Sequence, residues 1–437
     1  MLQQAALAGS TADVTTNLDA LWLIVGAALV LLMTPGVAFF YGGMVRAKSV
    51  ISMMMMSFGA IAVVGVLWVL FGYGMSFGSG KDWLIPHFLL NPFSNLGLHK
   101  FLGIGADGAM ATNNVADTYS LAFVAFQATF AIITVALISG AVADRVKFGA
   151  WMVFAAVWAT LVYFPVASWV FNFTVNAKGA MTDGGWSVYL LGVNDFAGGT
   201  AVHINAGAAG LALALVVGKR VGFAKGMTKP HNVPLTLLGA ALLWFGWFGF
   251  NSGSAAAVNT TAAIAWINTL AAPAAGILGW LVVESRREGK PTSIGAASGA
   301  VAGLVAITPA CNILTPTWAI VLGIITGAAC CYAIEIKYRL GFDDSLDVVG
   351  IHLVGGLIGT LYIGLVGTRI GLLDSGSLHQ LTAQAVGAFG VMIYSFAMAY
   401  AIGWTIQKTI GFRITTEDEL AGVDTVVHGE AGYALVD

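Results

Sequence analysis

The chain has 437 residues, of which only 19 are Lys or Arg and 21 are Asp or Glu, against 58% hydrophobic residues and 56 glycines. So little charge cannot clothe a water-soluble globule of this length, which places the chain in the membrane class. A formal net charge of −2, with no basic patch or aromatic platform, gives no sign of nucleic-acid binding.

About 20 apolar residues cross a bilayer core of roughly 30 Å. Eleven runs meet that length in chain order: 20–44, 49–75, 117–142, 150–173, 196–218, 233–253, 260–283, 293–310, 313–335, 346–367 and 380–406. Each is predicted to be helical, because backbone polar groups find no water in lipid. The predicted fold is an all-α polytopic membrane protein, with a transmembrane domain over 1–407 and a tail over 408–437. The segment Met1–Asn17 has no basic n-region, so no ordinary signal peptide is expected.

Alternate loops differ sharply in charge. One set holds fifteen of the nineteen Lys and Arg, from Arg46 to Arg413, and the other only Lys81, Lys100, Lys178 and Arg369. The positive-inside rule puts the richer set in the cytoplasm, the N-terminus outside and the tail inside. Cys311, Cys330 and Cys331 lie in or beside apolar runs and read as packing residues, with no disulfide framework or metal site.

Two stretches break the apolar pattern. His203 stands in "GTAVHINAG" and His352 in "VVGIHLVGG", and each follows an aspartate by eight residues, Asp195 and Asp344. The two runs cross the membrane in opposite directions, which is the mark of an inverted repeat. "GVAFFYGGM" (36–44) and "GWFGFNSGS" (246–254) point the same way, as ends of the first and sixth runs. Eight helical residues rise about 12 Å, so aspartates at opposite faces would bring both histidines near the midplane. Asp195 is placed to cap the first turn of its run.

Ionisable residues at that depth are rare and usually functional. Two imidazoles can satisfy one another, one donating and the other accepting, and burial makes such a pair hard to charge. Helix-packing hydrogen bonds and axial haem ligation are the other readings. The small residues around both histidines leave little room for a macrocycle. "FQATF" sets Phe126 and Phe130 on one face of the third run, and the sixth supplies Trp247, Phe250 and Ser254. Aromatic faces attract small cations, a serine oxygen accepts from them, and phenylalanines exclude hydrated ions. A cation that can shed its charge, as ammonium does and potassium does not, suits this set.

These residues resemble the ammonium transporter (Amt/Mep/Rh) family, on the bacterial Amt side. The resemblance is carried by "TPGVAFFYGGMVR" (34–46), "FQATFAIITVALISGAVADR" (126–145), "DFAGGTAVHINAG" (195–207), "GWFGFNSGSA" (246–255), "DVVGIHLVGG" (347–356) and "HGEAGY" (428–433). It implies eleven helices as two inverted five-helix pseudo-repeats plus a final helix, assembled as a homotrimer with one pore per subunit. It implies that His203 and His352 are the twin histidines and that Phe130 and Phe250 are the gate. Phe126, Ser254 and Trp247 would line the recruitment vestibule and pore, Asp195 would support uptake, and Asp347 would be the aspartate just before the second histidine.

Many bacterial members carry a vestibule tryptophan after a P-x-A motif. Here "FPVASWVFNF" (164–173) puts Phe171 at that position and Trp169 two residues earlier. A phenylalanine is the weaker cation–π partner, so either Trp169 or Trp186 substitutes or external ammonium binds more weakly. The resemblance assigns the tail residues Asp424, His428, Glu430 and Tyr433 to a control element that touches a neighbouring subunit and helps receive a PII-type signal protein. The sequence places no obvious nucleophile or metal cluster beside the histidines, so no enzymatic activity and no cofactor are expected. The rival readings are a passive Rh-type gas channel and an ammonium sensor, although sensors usually append a signalling domain.

Overall fold

The computed structural model describes residues 2–104, 110–111, 115–176, 178–223 and 229–433. Among these, ten helices are long and apolar enough to cross a membrane, and one further apolar helix is shorter. In chain order they are α1 (Val14–Met44), α2 (Ala47–Ser76), α3 (Thr118–Val142), α4 (Phe148–Phe171), α5 (Gly199–Val217), α6 (Val233–Gly253), α7 (Thr260–Glu288), the short α8 (Ser293–Ile307), α9 (Pro316–Leu340), α10 (Val349–Val366) and α11 (His379–Thr409). Every expected run therefore holds a helix. The run 293–310 holds only the 15 residues of α8, a rise of about 22 Å. Nearly all of α8 is buried, so protein rather than lipid surrounds it.

Small residues decide which helices touch. α1 and α6 run antiparallel in close contact. A Cβ placed on Gly239 would lie 2.2 Å from the Phe40 backbone nitrogen, and one on Gly249 2.9 Å from the Gly26 carbonyl oxygen. α5 and α10 cross in the same way: Gly199 nears Gly356, Gly207 nears Leu353 and Gly210 nears Val348. Apolar solvent does not drive helices together, so such close backbone approach supplies much of the contact energy. Both pairs join corresponding helices of the two halves in opposite directions, as an inverted repeat requires.

At Gly207 a Cβ would lie only 2.5 Å from the Leu353 nitrogen, whereas one on Gly149 would meet nothing within 4 Å. Gly207→Ala should therefore destabilise the protein by about 1–3 kcal/mol. Its thermal midpoint in detergent should fall, while Gly149→Ala should not lower it. Equal midpoints for the two variants would disprove the account of the crossing.

Two faces cap the bundle. One carries the hairpins β1–β2 (Trp83–Ile85, Leu89–Leu90), β3–β4 (Gly103–Ile104, Met110–Ala111) and β5–β6 (Phe173–Val175, Met181–Gly184). The other carries the charged loops and α12 (Thr416–Ala421). There Arg145 and Asp343 are fully buried. Arg220 holds Asp343 through its Nη2 at 2.8 Å and reaches Asp144 at 3.2 Å. Burial pulls the Arg145 guanidinium down to about 10 against the pull of Asp343, so it stays cationic at neutral pH. Asp343 lies low although burial opposes it, because Arg220 donates to it and Arg145 adds its charge.

The tail folds back onto this charged face. Asp424 is buried and accepts from the backbone amides of Ile51 and Ser52 at 3.0 and 2.8 Å, at the start of α2. The His428 ring meets Phe148 edge-on at 5.3 Å. The Tyr433 hydroxyl lies 2.8 Å from His231 Nε2 and accepts from Asn232 Nδ2 at 3.3 Å. Glu430 is exposed, with its amide 3.4 Å from the Asp424 carbonyl. Glu419 binds Arg413 at 2.9 Å and accepts from the Val221 amide at 2.7 Å.

Candidate functional site

α3 presents one stripe toward the middle of the bundle. Phe123, Phe126, Gln127 and Phe130 recur at three- and four-residue spacing, so they share a face. With Ser254, from the end of α6, and Phe171, from the end of α4, they line a cavity of about 580 Å³ beside the hairpins. Ser254 donates its hydroxyl hydrogen to the Phe250 carbonyl at 2.8 Å. Its lone pairs are thus what it can offer the cavity, which suits a hydrogen-bond donor such as a small cation.

The floor of the cavity is closed by rings. Phe130 stacks on Phe250 with centroids 4.1 Å apart and planes 17° from parallel, and Phe126 sits 4.8 Å from Phe130. All three are almost wholly buried. The stack continues inward. His203 lies 6.2 Å from Phe250 and 5.4 Å from Trp247, whose indole donates to Thr308 Oγ1 at 2.8 Å. Trp247 therefore belongs with the histidines below the ring stack and not with the cavity above it.

His203 and His352 face each other with rings 24° from parallel, centroids 5.3 Å apart and their Nδ1 atoms 3.3 Å apart. Both are buried, and His203 Nε2 has no hydrogen-bond partner among the described residues. A neutral imidazole carries a single N–H. If one ring donates Nδ1–H across the pair, its own Nε2 is a bare lone pair, and the accepting ring must carry its hydrogen on Nε2. The pair thus presents one outward acceptor and one outward donor.

Backbone irregularity sets this geometry. His203 sits in a π-helical turn, Gly199–Ile204, and His352 in another, Val349–Leu353. Such turns are uncommon and collect at functional sites. Each is anchored by the aspartate eight residues before the histidine. Asp195 accepts from the amides of Gly198, Gly199, Thr200 and Ala201 at 2.8, 2.6, 2.7 and 3.2 Å, and from the Thr200 hydroxyl. Asp344 accepts from Val348 and Val349 at 3.1 and 2.7 Å. Burial pushes the Asp344 carboxyl up to about 6. Asp347 does a different job. It adopts a left-handed φ of 63° and pairs with Lys337 Nζ at 2.5 Å. It lines a second cavity, of about 520 Å³, on the charged face.

The structure separates the aromatic residues considered for the outer cavity. Phe171 lines it and meets Phe130 edge-on at 6.3 Å. Trp169 lies away from it, donating its indole hydrogen to the Phe88 carbonyl at 2.7 Å and packing on Tyr394 at 4.7 Å. Trp186 stacks on Phe88 at 6.0 Å in that same neighbouring cluster. Two residues escaped the sequence reading as site residues. Asp344 entered it only through its spacing, and Gln127 stood unremarked inside "FQATF". A polar side chain three residues from Phe130 on a helical stripe was the available signal.

Comparison with known proteins gives consistent results. A family model described as Ammonium Transporter Family matches residues 21–433. An ammonium transporter of Mycobacterium tuberculosis is 51% identical over 435 residues, covering 95% of this chain and 90% of its own length. An ammonium transporter of Bacillus subtilis is 43% identical, with 95% and 98% covered. Among solved structures, a protein titled Sensor Amt Protein superposes with a TM-score of 0.83 at 28% identity, covering 95% of this chain and 99% of its own. Saccharomyces cerevisiae Mep2 superposes with a TM-score of 0.78 at 32% identity, with 91% and 90% covered.

Proposed function

The chain belongs to the ammonium transporter family, and on that premise we propose that it draws ammonium in from the hairpin side, strips a proton from it, and passes ammonia along the histidine pair to the charged side. The observation that carries this reading is the sequence of chemistries along one line. A cation-attracting cavity comes first, then the Phe130–Phe250 stack, then two buried imidazoles in contact. The cavity offers the Ser254 oxygen and the faces of Phe126, Phe130 and Phe171 to a cation. Below it the apolar rings make a bare ion too costly to bury, so only the neutral form continues. The histidine pair then supplies polar contacts in an otherwise apolar passage.

Loop charge supports a plasma-membrane location with the N-terminus and hairpins outside and the tail in the cytoplasm. The sequence motifs support a homotrimer with one pore in each subunit. The docked tail, with Asp424, His428 and Tyr433 held against α2, α4 and the loop before α6, supports a control element able to present Glu430 to a PII-type signal protein. The fold likeness to a sensor favours a second reading, in which ammonium is bound and signalled rather than carried.

Reconstitution in liposomes separates these readings. Ammonium and methylammonium gradients should drive uptake with a change of internal pH, and current recorded alongside shows whether the proton travels too. Uptake without current would favour a passive Rh-type channel. Binding without uptake would favour the sensor.

A further inference from the structure

We propose that Tyr119, near the start of α3, is a positioning residue of the outer cavity: its hydroxyl latches the turn that follows α6 and so fixes where the Ser254 oxygen meets ammonium. The inference rests on the transport reading above and adds a residue to it.

The chain around Ser254 is wound tightly. The amides of Ser254, Ala255 and Ala256 donate to the carbonyls of Asn251, Ser252 and Gly253 at 3.2, 3.2 and 2.9 Å. Ala256 then takes a left-handed φ of 51°. The Cβ of alanine makes that region unfavourable, and a residue stays there only where its surroundings over-determine it. Here the surroundings are two other helices. The Tyr119 hydroxyl donates to the Ala256 carbonyl at 3.0 Å. From α1, Asp19 accepts from the Val258 amide at 2.8 Å, and the Trp22 indole donates to the Ser252 carbonyl at 3.2 Å.

Tyr119, Ser254 and Ala256 all line the outer cavity, so the latch sits at the binding site and not behind it. Ser254 stands two residues before the strained position, and a turn that relaxes at Ala256 carries the Ser254 backbone with it. The hydrogen bond and the strain oppose one another at similar size. Each is worth about tenfold in an equilibrium constant, so losing the hydroxyl is enough to free the turn. A phenylalanine would build the same cavity wall without the latch.

The test is the ammonium dependence of uptake into liposomes for the full-length wild type, Tyr119→Phe and Ser254→Ala, and for Tyr119→Phe combined with Ala256→Gly or with Ser254→Ala. Tyr119→Phe keeps the ring and should raise half-saturating ammonium about three- to tenfold, the worth of one neutral hydrogen bond, with its maximal rate retained. Glycine takes a left-handed φ without strain, so adding Ala256→Gly should return half-saturation most of the way to wild type. Ser254→Ala should raise half-saturation by itself, and adding Tyr119→Phe should raise it no further, because both act through one oxygen. A wild-type half-saturation in Tyr119→Phe overturns the proposal. So does a raised value that Ala256→Gly leaves unrelieved, which would have the hydroxyl meet ammonium directly. Effects of Tyr119→Phe and Ser254→Ala that multiply also overturn it, as does a lower maximal rate at unchanged half-saturation, which would place the role in packing. A wild-type protein with no ammonium response defeats the transport reading itself. A responsive wild type with an indifferent Tyr119→Phe defeats this inference only.

Discussion

Replacing both His203 and His352 with alanine is expected to reduce ammonium current in liposomes at least about tenfold. The two rings are the polar contacts identified below the Phe130–Phe250 stack, and they meet at 3.3 Å. Without them, ammonia crosses a stretch in which its hydrogen-bonding capacity goes unmet, at about 2 kcal/mol or more. Each 1.4 kcal/mol on a barrier is a factor of ten. The wider apolar lumen left by two alanines should also admit water and weaken selection against potassium. A single His203→Ala should be impaired as well, because His352 Nδ1 then loses its partner. Unchanged currents and unchanged selectivity in the double variant would remove the histidine pair from the mechanism.

Asp195→Ala is expected to cost both stability and transport. One carboxylate accepts from four backbone amides and a hydroxyl within six residues. Each buried donor stranded by its loss costs about 1–3 kcal/mol, and the negative charge that favours the start of α5 disappears as well. Relaxation will recover part of this, so a loss of at least about 3 kcal/mol is expected, read as a lower thermal midpoint. Transport should fall further than stability alone explains, because these same amides hold the π-helical turn that aims His203. Asp195→Asn keeps one oxygen acceptor and should be intermediate in both assays. An Asp195→Ala protein with wild-type melting and wild-type uptake would show that the turn holds itself.

Much of this arrangement is legible in the residues. Apolar length places the membrane-crossing part of each helix, because the bilayer imposes one requirement on all of them, although the first helix starts well before its apolar run, at Leu2. The Asp-to-His spacing of eight identifies both histidine turns, and the small residues Gly207 and Gly356 mark where α5 and α10 cross. Other features depend on side-chain direction, which spacing does not fix. Trp169 is the larger aromatic, yet its indole hydrogen finds the Phe88 carbonyl and the ring turns away, leaving the cavity to Phe171. Asp344 and Asp347 are three residues apart and equally acidic. Only the left-handed backbone at Asp347 sends one to Lys337 and leaves the other to anchor the turn. The π-helical turns themselves have no composition signal, since glycine, valine and isoleucine occupy ordinary helices throughout this chain. The tail reads as a mixed-charge segment, and its docking becomes visible only when Asp424 meets the free amides at the start of α2.

The histidine pair has a consequence for the order in which things can pass. Ammonia that hydrogen-bonds to the rings and moves on leaves them as it found them. A proton does not. Taken up at the bare outer nitrogen, with the shared hydrogen shifting across and another released from the far ring, it leaves the pair as the mirror image of its starting form. The lone pair that received it has become an N–H, and a second proton from the same side finds no place to land. The rings must first exchange their hydrogens back. On the proposed transport reading, the same contact is therefore an open corridor for the neutral molecule and a one-count turnstile for the charge.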